Sequence, residues 1–472
     1  MLKTENKKFM VNIAITLCYA IFTFLIVLRH EIWEDEAQVW LLAQNLSIVE
    51  LFQNLFSEGH PPLFYLLTMP FAKLGLGVFS MQVLCWLSCV FGVFLLFHYS
   101  PFKWWVNTSV VLSCGFLYAF PVIARSYSIL PFLVFLSAIL YEKRREMPIL
   151  YGIILFLISM THVIMLPFVS ALLLCFILEI FKEKRVDLKT VSTAFLMFLG
   201  IVYVLLISLS AVEHNHFIHF YSNNNIYTPI IFLLKFFSTA LGPLSKISVN
   251  FVFAYIILFL ILLTEIFRFS KKAFFIALLS VIGQFTIYVM FYFSPVYQTR
   301  IFSMFIIILF CYWAAWKTSN DNFLKRNISV LLSIFFLLTT LNGIKHIKAD
   351  YFQAYSGSKE TAEFIRNNID KDTVIFTDVA QTSASVLSYL NKGYKVLYAP
   401  SNRELKYAVW EKDTQEGFLP SEWSEYLAAK EGKFYLLLVE DKDIENTEKA
   451  FVSSNSISKK EKFYILKGRE NE

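Results

Sequence analysis

The chain has 472 residues, of which 57% are hydrophobic, 18% aromatic and 17% charged, with a formal net charge of +6. Soluble domains usually carry about 25% charged residues, so this composition indicates that lipid is the main solvent. The basic residues lie in short clusters between apolar stretches and form no broad basic face, which argues against nucleic acid as a partner. All six cysteines lie within apolar stretches, so the sequence indicates neither a disulfide framework nor a zinc-binding spacing.

The first apolar stretch, residues 9–28, follows Lys3, Lys7 and Lys8 and is too long for a cleaved signal peptide. We expect it to be an uncleaved first helix with a cytoplasmic N-terminus. Cytoplasmic loops carry the excess of Lys and Arg in membrane proteins, so the later basic loops orient the remaining helices. This rule predicts eleven crossings of the bilayer, at residues 9–28, 81–99, 105–121, 127–141, 148–161, 163–181, 190–211, 249–267, 273–293, 301–316 and 328–345.

Two further apolar segments, 62–79 and 228–246, are interrupted by proline, glycine and lysine. We expect them to be interfacial or re-entrant on the outer side, because two more crossings would move basic clusters outside. The fold class predicted is therefore an α-helical polytopic membrane protein with about 11 to 13 transmembrane helices. The number of crossings is odd whether or not these two segments cross. With a cytoplasmic N-terminus, an odd number places the C-terminal part of the chain outside the cytoplasm.

The composition becomes polar and charged after Asp350, over a length suited to one small domain. We therefore divide the chain into a transmembrane module, residues 1–349 with a first outer loop at 29–61, and a soluble extracytoplasmic α/β domain, residues 350–472. Alternating patterns in the second part predict helices at 358–367 and 383–390 and strands at 373–377, 395–399, 434–439 and 463–466.

The first outer loop concentrates carboxylates beside the membrane. Glu34, Asp35 and Glu36 begin a helical pattern whose apolar members recur at three- or four-residue steps, at Val39, Leu42, Leu46 and Val49. Acids in a first turn favour the helix dipole, which is a purely structural explanation. The loop then closes with Gly59, His60, Pro61 and Pro62, and the prolines restrict the backbone that carries the imidazole.

Five elements follow one another along the chain, namely Asp35-Glu36 after the first helix, His60 to Leu63, Ala124-Arg125 with Tyr127, Thr161-His162, and Arg300 at the start of a late helix. Their order resembles the GT-C superfamily of glycosyltransferases, in the branch with the protein O-mannosyltransferases and the lipid A aminoarabinose transferase. The resemblance covers about the first 350 residues.

The resemblance implies a bacterial membrane enzyme, a hexosyl- or pentosyltransferase, that moves a sugar from a polyprenyl-phosphate donor to an extracytoplasmic acceptor with inversion. The acceptor, whether protein, lipid or cell-envelope glycan, stays open. In the family the catalytic acid lies at the position of Asp35, which would be the general base. Glu36 would assist it, or hold a metal or the acceptor. No metal ligand set is predicted, although a requirement for a divalent cation stays open.

The leaving lipid phosphate gains charge as its bond breaks, and fixed cations stabilise that charge. Arg125 and Arg300, at the outer ends of predicted helices, are the candidates, although arginines there also snorkel to the interface. His60, His162 and Tyr127 would add contacts to the phosphate or the sugar.

Two other functions fit a chain of many helices, a transporter or flippase and a polysaccharide polymerase or ligase for lipid-linked sugars. Transporters often show inverted repeats, and we find none. Two motifs carry little weight. His214, His216 and His219 lack a zinc spacing, and Asp441-Lys442-Asp443 is a chance match to the metal-binding Asp-x-Asp pair of nucleotide-sugar transferases.

Overall fold

A computed structural model describes residues 2–184, 186–214, 227–291, 297–390, 393–409, 417–430 and 432–469. Within these ranges the part of the chain before residue 353 is almost entirely helical. Its helices in chain order are α1 Leu2–Val27, α2 Glu34–Asn45, α3 Ile48–Glu58, α4 Leu63–Lys73, α5 Phe79–Tyr99, α6 Trp104–Val111, α7 Leu130–Lys143, α8 Pro148–Ser159, α9 Leu166–Glu183, α10 Leu188–His214, α11 Tyr227–Leu241, α12 Pro243–Ile247, α13 Val249–Phe269, α14 Lys271–Phe291, α15 Gln298–Ala315, α16 Asn322–Leu337 and α17 Thr340–Phe352.

Nine helical stretches among the described residues are long and apolar enough to cross a bilayer, which confirms a polytopic helical membrane protein. They are Lys8–Val27, Phe79–Tyr99, Ser126–Lys143, Val163–Glu183, Leu188–Val212, Val249–Phe269, Lys271–Phe291, Gln298–Thr318 and Asn322–Phe352. Each corresponds to one of the eleven predicted crossings. The last is much longer than the predicted 328–345, because it includes α17, which begins after only two intervening residues, Leu338 and Thr339.

The other two predicted crossings are not long helices. Over 105–121 the chain forms α6 and then a π-helical turn, Gly115–Ala119, which is packed inside the bundle. Over 148–161 it forms only the twelve-residue α8. The interrupted segments 62–79 and 228–246 contain the short apolar helices Leu63–Lys73 and Thr228–Leu241. Irregular backbone at membrane depth is stable where surrounding helices cover it. The length of an apolar stretch in the sequence does not show whether such cover is present.

Helix α15 lies at the centre of the bundle, with almost every side chain buried. Its neighbour is the π-helical turn that begins at Gly115, where a Cβ atom would collide with the ring of Phe302. The missing side chain therefore lets the turn lie directly against α15. This contact fixes the segment 115–125 relative to the start of α15, which carries Arg300.

The first outer loop forms two helices instead of the single predicted one. The backbone is extended at Leu46, and Ser47 then caps α3 by accepting a hydrogen bond from the amide of Glu50 at 3.3 Å. The Glu50 carboxylate accepts in return from the Ser47 amide at 2.7 Å, which completes a capping box. Helix α3 ends at Gly59 with φ 70°, a left-handed conformation that glycine adopts without strain, and the chain turns into His60.

The C-terminal part is a mixed sheet with helices, as predicted. Its helices are α18 Ser358–Asn368, α19 Ala380–Tyr389 and α20 Pro420–Ala428, and its strands are β1 Val374–Thr377, β2 Val396–Tyr398, β3 Arg403–Glu404, β4 Phe434–Leu438, β5 Thr447–Val452 and β6 Tyr464–Gly468. The strand order is β3-β2-β1-β4-β6-β5, with β1 parallel to β2 and β4. All six predicted elements are present, and β3, β5 and α20 were not predicted. The predicted boundary at 350 lies inside α17, which ends at Phe352.

The sheet domain packs directly on the first outer loop. The amide of Ile32 donates to the hydroxyl of Tyr389 at 2.7 Å, and the Gln38 side chain exchanges two hydrogen bonds with the backbone of Ala408, at 2.8 and 2.9 Å. Ala384 of α19 belongs to the apolar cluster formed by α2. The loop is thus held between the helical bundle and the sheet domain, which limits its movement.

Candidate functional site

Two consecutive acids of α2 contact two consecutive residues of the segment before α7. Asp35 forms an ion pair with Arg125, and the Glu36 carboxylate accepts a hydrogen bond from the amide of Ala124. The two links run side by side between the dipeptides Asp35-Glu36 and Ala124-Arg125. The side chain of Asp35 is 30% exposed and that of Arg125 is 12% exposed, so this ion pair keeps limited access to solvent.

Glu36 is completely buried and lies away from the cavity that Asp35 faces. Its Oε2 atom is 3.2 Å from Nε2 of His30, whose Nδ1 is 2.8 Å from Oδ2 of Asp350. The hydroxyl of Tyr118 donates to the same Asp350 oxygen at 3.0 Å. Both oxygens of Glu36 thus bind groups of the chain, and its expected role beside Asp35, or as a ligand of a metal or the acceptor, stays a prediction.

The imidazole of His30 joins these carboxylates as a cation. Burial by itself would lower its pKa, but the neighbouring Asp350 and Glu36 outweigh that effect and raise the pKa from 6.5 to about 10. A protonated His30 thus links the loop before α2 to the end of α17. This contact spans more than 300 residues of sequence.

Arg300 lies on the other side of the same region, buried at the first turn of α15. Its Nε donates to the hydroxyl of Tyr127 at 3.1 Å, and its guanidinium lies 5.0 Å from the centre of the Tyr297 ring. The Tyr127 hydroxyl is also 2.7 Å from Nε2 of His162, so a chain of hydrogen bonds orients the arginine.

The two histidines of the site are both neutral. The rings of His60 and His162 lie 5.6 Å apart. Burial and then the charge of Arg125 lower the pKa of His60 to about 4, while burial, His60 and Arg300 lower the pKa of His162 well below its ordinary value. Neutral imidazoles offer one donor and one acceptor each and bring no further charge.

A cavity with an empty volume of about 680 Å³ brings four of the predicted residues together. Asp35, Arg125, Tyr127 and Arg300 all lie on its wall. A smaller cavity of about 410 Å³ lies against the other side of the Asp35–Arg125 pair and includes His60 in its lining. His162 lines neither of these two cavities and contacts the site through Tyr127. The acid and both arginines therefore face one common space.

Several residues of the cavity wall were not predicted. Most are aromatic or polar side chains from distant segments, namely Trp33, Tyr118, Tyr297, Gln298, Thr299, His346 and Tyr355. Single aromatic residues carry little signal in a chain with 50 Phe and 24 Tyr. The position of Tyr297, Gln298 and Thr299, in the three residues before Arg300, is the one signal in the sequence that could have found any of them.

Of the two motifs that we discounted, only Asp441-Lys442-Asp443 lies among the residues whose side chains the structure describes. The histidine cluster at 214–219 lies outside the residues whose side chains the structure describes. In the Asp441-Lys442-Asp443 motif, Lys442 pairs with the buried Asp378 at 2.8 Å and Asp441 pairs with Lys449 at 2.6 Å. Across the described residues, no group of three or more His, Cys, Asp or Glu side chains is arranged to hold a metal ion.

Comparison with known proteins gives a match in structure but not in sequence. No family model matches the chain, and no curated protein matches it. Two crystal structures of ArnT from Cupriavidus metallidurans, one bound to undecaprenyl phosphate and one in the apo state, match with TM-scores of 0.57 and 0.56. Sequence identities are 11% and 12%, and each match covers 97% of both chains. The chain therefore has the GT-C fold of ArnT, the lipid A aminoarabinose transferase, over its helical bundle and its C-terminal domain alike.

Proposed function

We propose that the protein is a membrane glycosyltransferase that moves a sugar from a polyprenyl-phosphate donor to an acceptor on the non-cytoplasmic side, with inversion. The observation that carries the proposal is the common cavity, which one carboxylate and two guanidinium groups share. Such a set suits a reaction in which the carboxylate takes a proton from the acceptor while the guanidinium groups bind an anionic leaving group. The fold likeness to ArnT bound to undecaprenyl phosphate supports the donor class.

In the proposed reaction an acceptor oxygen attacks the anomeric carbon and loses its proton to the Asp35 carboxylate. The bond between that carbon and the phosphate oxygen breaks, and its electron pair leaves with the lipid phosphate. Arg125 and Arg300 stabilise the charge that grows on the phosphate. Because attack and departure occur on opposite faces of the carbon, the configuration inverts.

The ion pair between Asp35 and Arg125 has a consequence for the order of events. While the two groups are paired, Arg125 occupies the Oδ2 atom of the carboxylate, which could otherwise accept the proton of the acceptor. A phosphate that binds Arg125 competes with Asp35 for this guanidinium and therefore weakens the ion pair. Donor binding would therefore activate the base, so that the acceptor reacts only when the donor is in place.

Glu36, His30 and Asp350 have a positioning role in this proposal. Glu36 holds the amide of Ala124, the residue directly before Arg125, and His30 holds Glu36 in turn. The sheet domain, proposed to lie outside the cytoplasm, covers the loop that carries these acids. The N-terminus and the basic loops would lie on the cytoplasmic side.

The test is transfer by the purified protein from synthetic polyprenyl-phosphate sugars to a mixture of envelope acceptors, with product configuration determined by NMR. A new glycosidic bond of inverted configuration is expected. A transporter or flippase would move the donor between leaflets of a vesicle and form no such bond. A retained configuration would contradict the proposed single displacement.

A further inference from the structure

We propose that the larger cavity, which is lined by Asp35, Arg125 and Arg300, contains a subsite for the sugar ring of the donor, formed by Trp33 and Gln298. This inference rests on the proposed function and adds the group that the cavity recognises. Both residues lie on the cavity wall. The indole Nε1 of Trp33 and the amide Oε1 of Gln298 are buried, and neither has a hydrogen-bond partner among the described residues.

A buried polar atom without a partner destabilises the folded protein, and folded proteins contain few such atoms. Here one is a donor, the indole N–H, and the other is an acceptor, the amide oxygen. A sugar hydroxyl both donates and accepts, so hydroxyls of one ring can satisfy both atoms. A ligand that carries hydroxyl groups would therefore bind more tightly, because it supplies the hydrogen-bond partners that these two atoms lack in the free protein.

The orientation of the Gln298 amide is fixed by its other half. Its Nε2 donates to the carbonyl oxygen of Thr239 at 2.6 Å, which assigns the oxygen and not the NH₂ to the unpartnered position. Asn342 donates to the same carbonyl at 2.9 Å. The carbonyl therefore keeps a partner even if Gln298 is replaced, which makes this position suitable for mutation.

An aromatic wall supports the same assignment. The Trp33 ring lies 5.9 Å from the Tyr297 ring and 6.2 Å from the Tyr355 ring, measured between centroids. Aromatic faces pack against the apolar C–H face of a sugar ring while its hydroxyls point to polar atoms. Arg300 lies over Tyr297, so the wall is directly beside the proposed phosphate position. A sugar attached to that phosphate would reach the wall without a further linker.

The charges of the cavity indicate a neutral sugar. Among the described residues that line it, the only carboxylate is Asp35, which is paired with Arg125, and Arg300 adds a second guanidinium. An ammonium group on the sugar would meet two cations and would compete with Arg125 for the base. We therefore infer that the donor carries a neutral, hydroxylated hexose or pentose.

The experiment measures binding of two ligands to the purified full chain, undecaprenyl phosphate and the same lipid carrying glucose, mannose, galactose or arabinose. Trp33→Phe and Gln298→Met are the test variants, and Trp104→Phe, at a position 71% exposed, is the matched control. One lost neutral hydrogen bond of about 1 kcal/mol corresponds to about fivefold weaker binding. Each test variant is expected to bind the best sugar-bearing lipid about fivefold more weakly and the bare lipid phosphate as well as the wild type.

Equal losses for both ligands, or no loss for either, would overturn the subsite. A preference of the wild type for a lipid that carries 4-amino-4-deoxyarabinose would overturn the neutral-sugar assignment.

Transfer assays on the same samples separate this inference from the proposed function. If the wild type forms a glycosidic bond but Trp33→Phe and Gln298→Met do not change the ratio of the two affinities, only the subsite fails. If no sugar donor is transferred and sugar adds nothing to binding, both proposals fail.

Discussion

The two ends of the helical bundle use arginine differently. At the end where α7 and α9 finish, Arg144 forms a bidentate contact with Glu179, with both distances 3.1 Å, and Arg145 and Lys272 pair with carboxylates of the same cluster. At the end where α7 and α15 begin, Arg125 pairs with Asp35 and Arg300 contacts the hydroxyl and ring of tyrosines. The first set forms a network of ion pairs with several carboxylates, and the second lines the larger cavity, where Asp35 is the one carboxylate among the described lining residues.

This difference shows how the surroundings of a cation indicate its role in a membrane protein. A charge near the bilayer is expensive unless it is compensated. The Glu179 cluster compensates its cations with several carboxylates of the chain, and the cavity of about 400 Å³ that it lines is smaller than the cavity of about 680 Å³ at the other end. At the other end, the cations adjoin a space with unpartnered polar atoms, as expected if a ligand completes the compensation. The predictions below test this contrast.

The largest effect is expected for Arg300, as Arg300→Ala. Removal of a group that stabilises a developing oxyanion typically slows a reaction by about 10²–10³-fold. We expect kcat/KM for sugar transfer to fall by about this factor. Arg144→Ala is the matched control from the opposite end and should keep kcat/KM within about threefold per folded molecule. Equal losses in the two variants would mean that the two ends do not differ in function.

The next effect concerns Glu36, which is buried without facing the cavity. Glu36→Ala leaves the Ala124 amide and the Nε2 atom of His30 without their partner, at a cost of about 1–3 kcal/mol for each buried group. We expect a lower thermal midpoint and about tenfold slower transfer, with kcat affected more than KM because Arg125 is displaced. Glu36→Gln, which keeps an oxygen for the Ala124 amide, should recover most of kcat. No recovery in Glu36→Gln would argue against a positioning role for this hydrogen bond.

A smaller effect, on stability alone, is expected for Glu179. Glu179→Gln weakens contacts to Arg144, Arg145 and Lys272 around a side chain that is 17% exposed. We expect a loss of about 1–2 kcal/mol in unfolding free energy, measured by thermal denaturation in detergent. Transfer rates per folded molecule should not change. A change in KM for the donor would contradict the assignment of this end to structure.

The last prediction concerns neither rate nor binding but a dependence of stability on pH through His30. Its folded pKa of about 10 exceeds its unfolded value of 6.5, so its stabilisation is complete below about pH 6.5 and is lost as the pH rises through about 10. The Glu31 pKa, raised by burial to about 7, acts in a lower window, between about 4.5 and 7. The thermal midpoint of the wild type should therefore fall from pH 7 to pH 10 more than that of His30→Gln. Parallel curves would show that His30 does not carry this dependence.

The sequence predicted those parts of the fold that local patterns determine. Long apolar stretches such as 249–267 became single helices, and the acids of the first loop began a helix. The break between α2 and α3 was missed although Ser47 and Glu50 carry a capping-box signature, because the apolar repeat continues across it. The segment 105–121 was missed because neighbouring helices stabilise its broken backbone.

At the site, the order of motifs in the sequence predicted several residues that the fold places together. It did not predict the hydrogen bonds and ion pairs that hold these residues in position. The pairing of His30 with Asp350 joins positions 320 residues apart, and no local pattern predicts it. Glu36 was predicted beside Asp35 in function because the two are adjacent in sequence. In the folded chain α2 turns them in different directions, one to the cavity and one to the Ala124 amide. The catalytic and binding roles of the predicted site residues stay predictions until activity is measured.

The measurement that tests the central claim most directly is the rate of sugar transfer by Asp35→Asn beside Glu34→Gln, its neighbour in the same helical turn. The Glu34 carboxylate accepts a hydrogen bond from Thr382 of the sheet domain and does not line the larger cavity. The account predicts that Asp35→Asn lowers kcat by about 10²–10⁴-fold, the range for a general base, while it still binds undecaprenyl phosphate, and that Glu34→Gln stays within about threefold of the wild type. Transfer by Asp35→Asn at the wild-type rate would contradict the account.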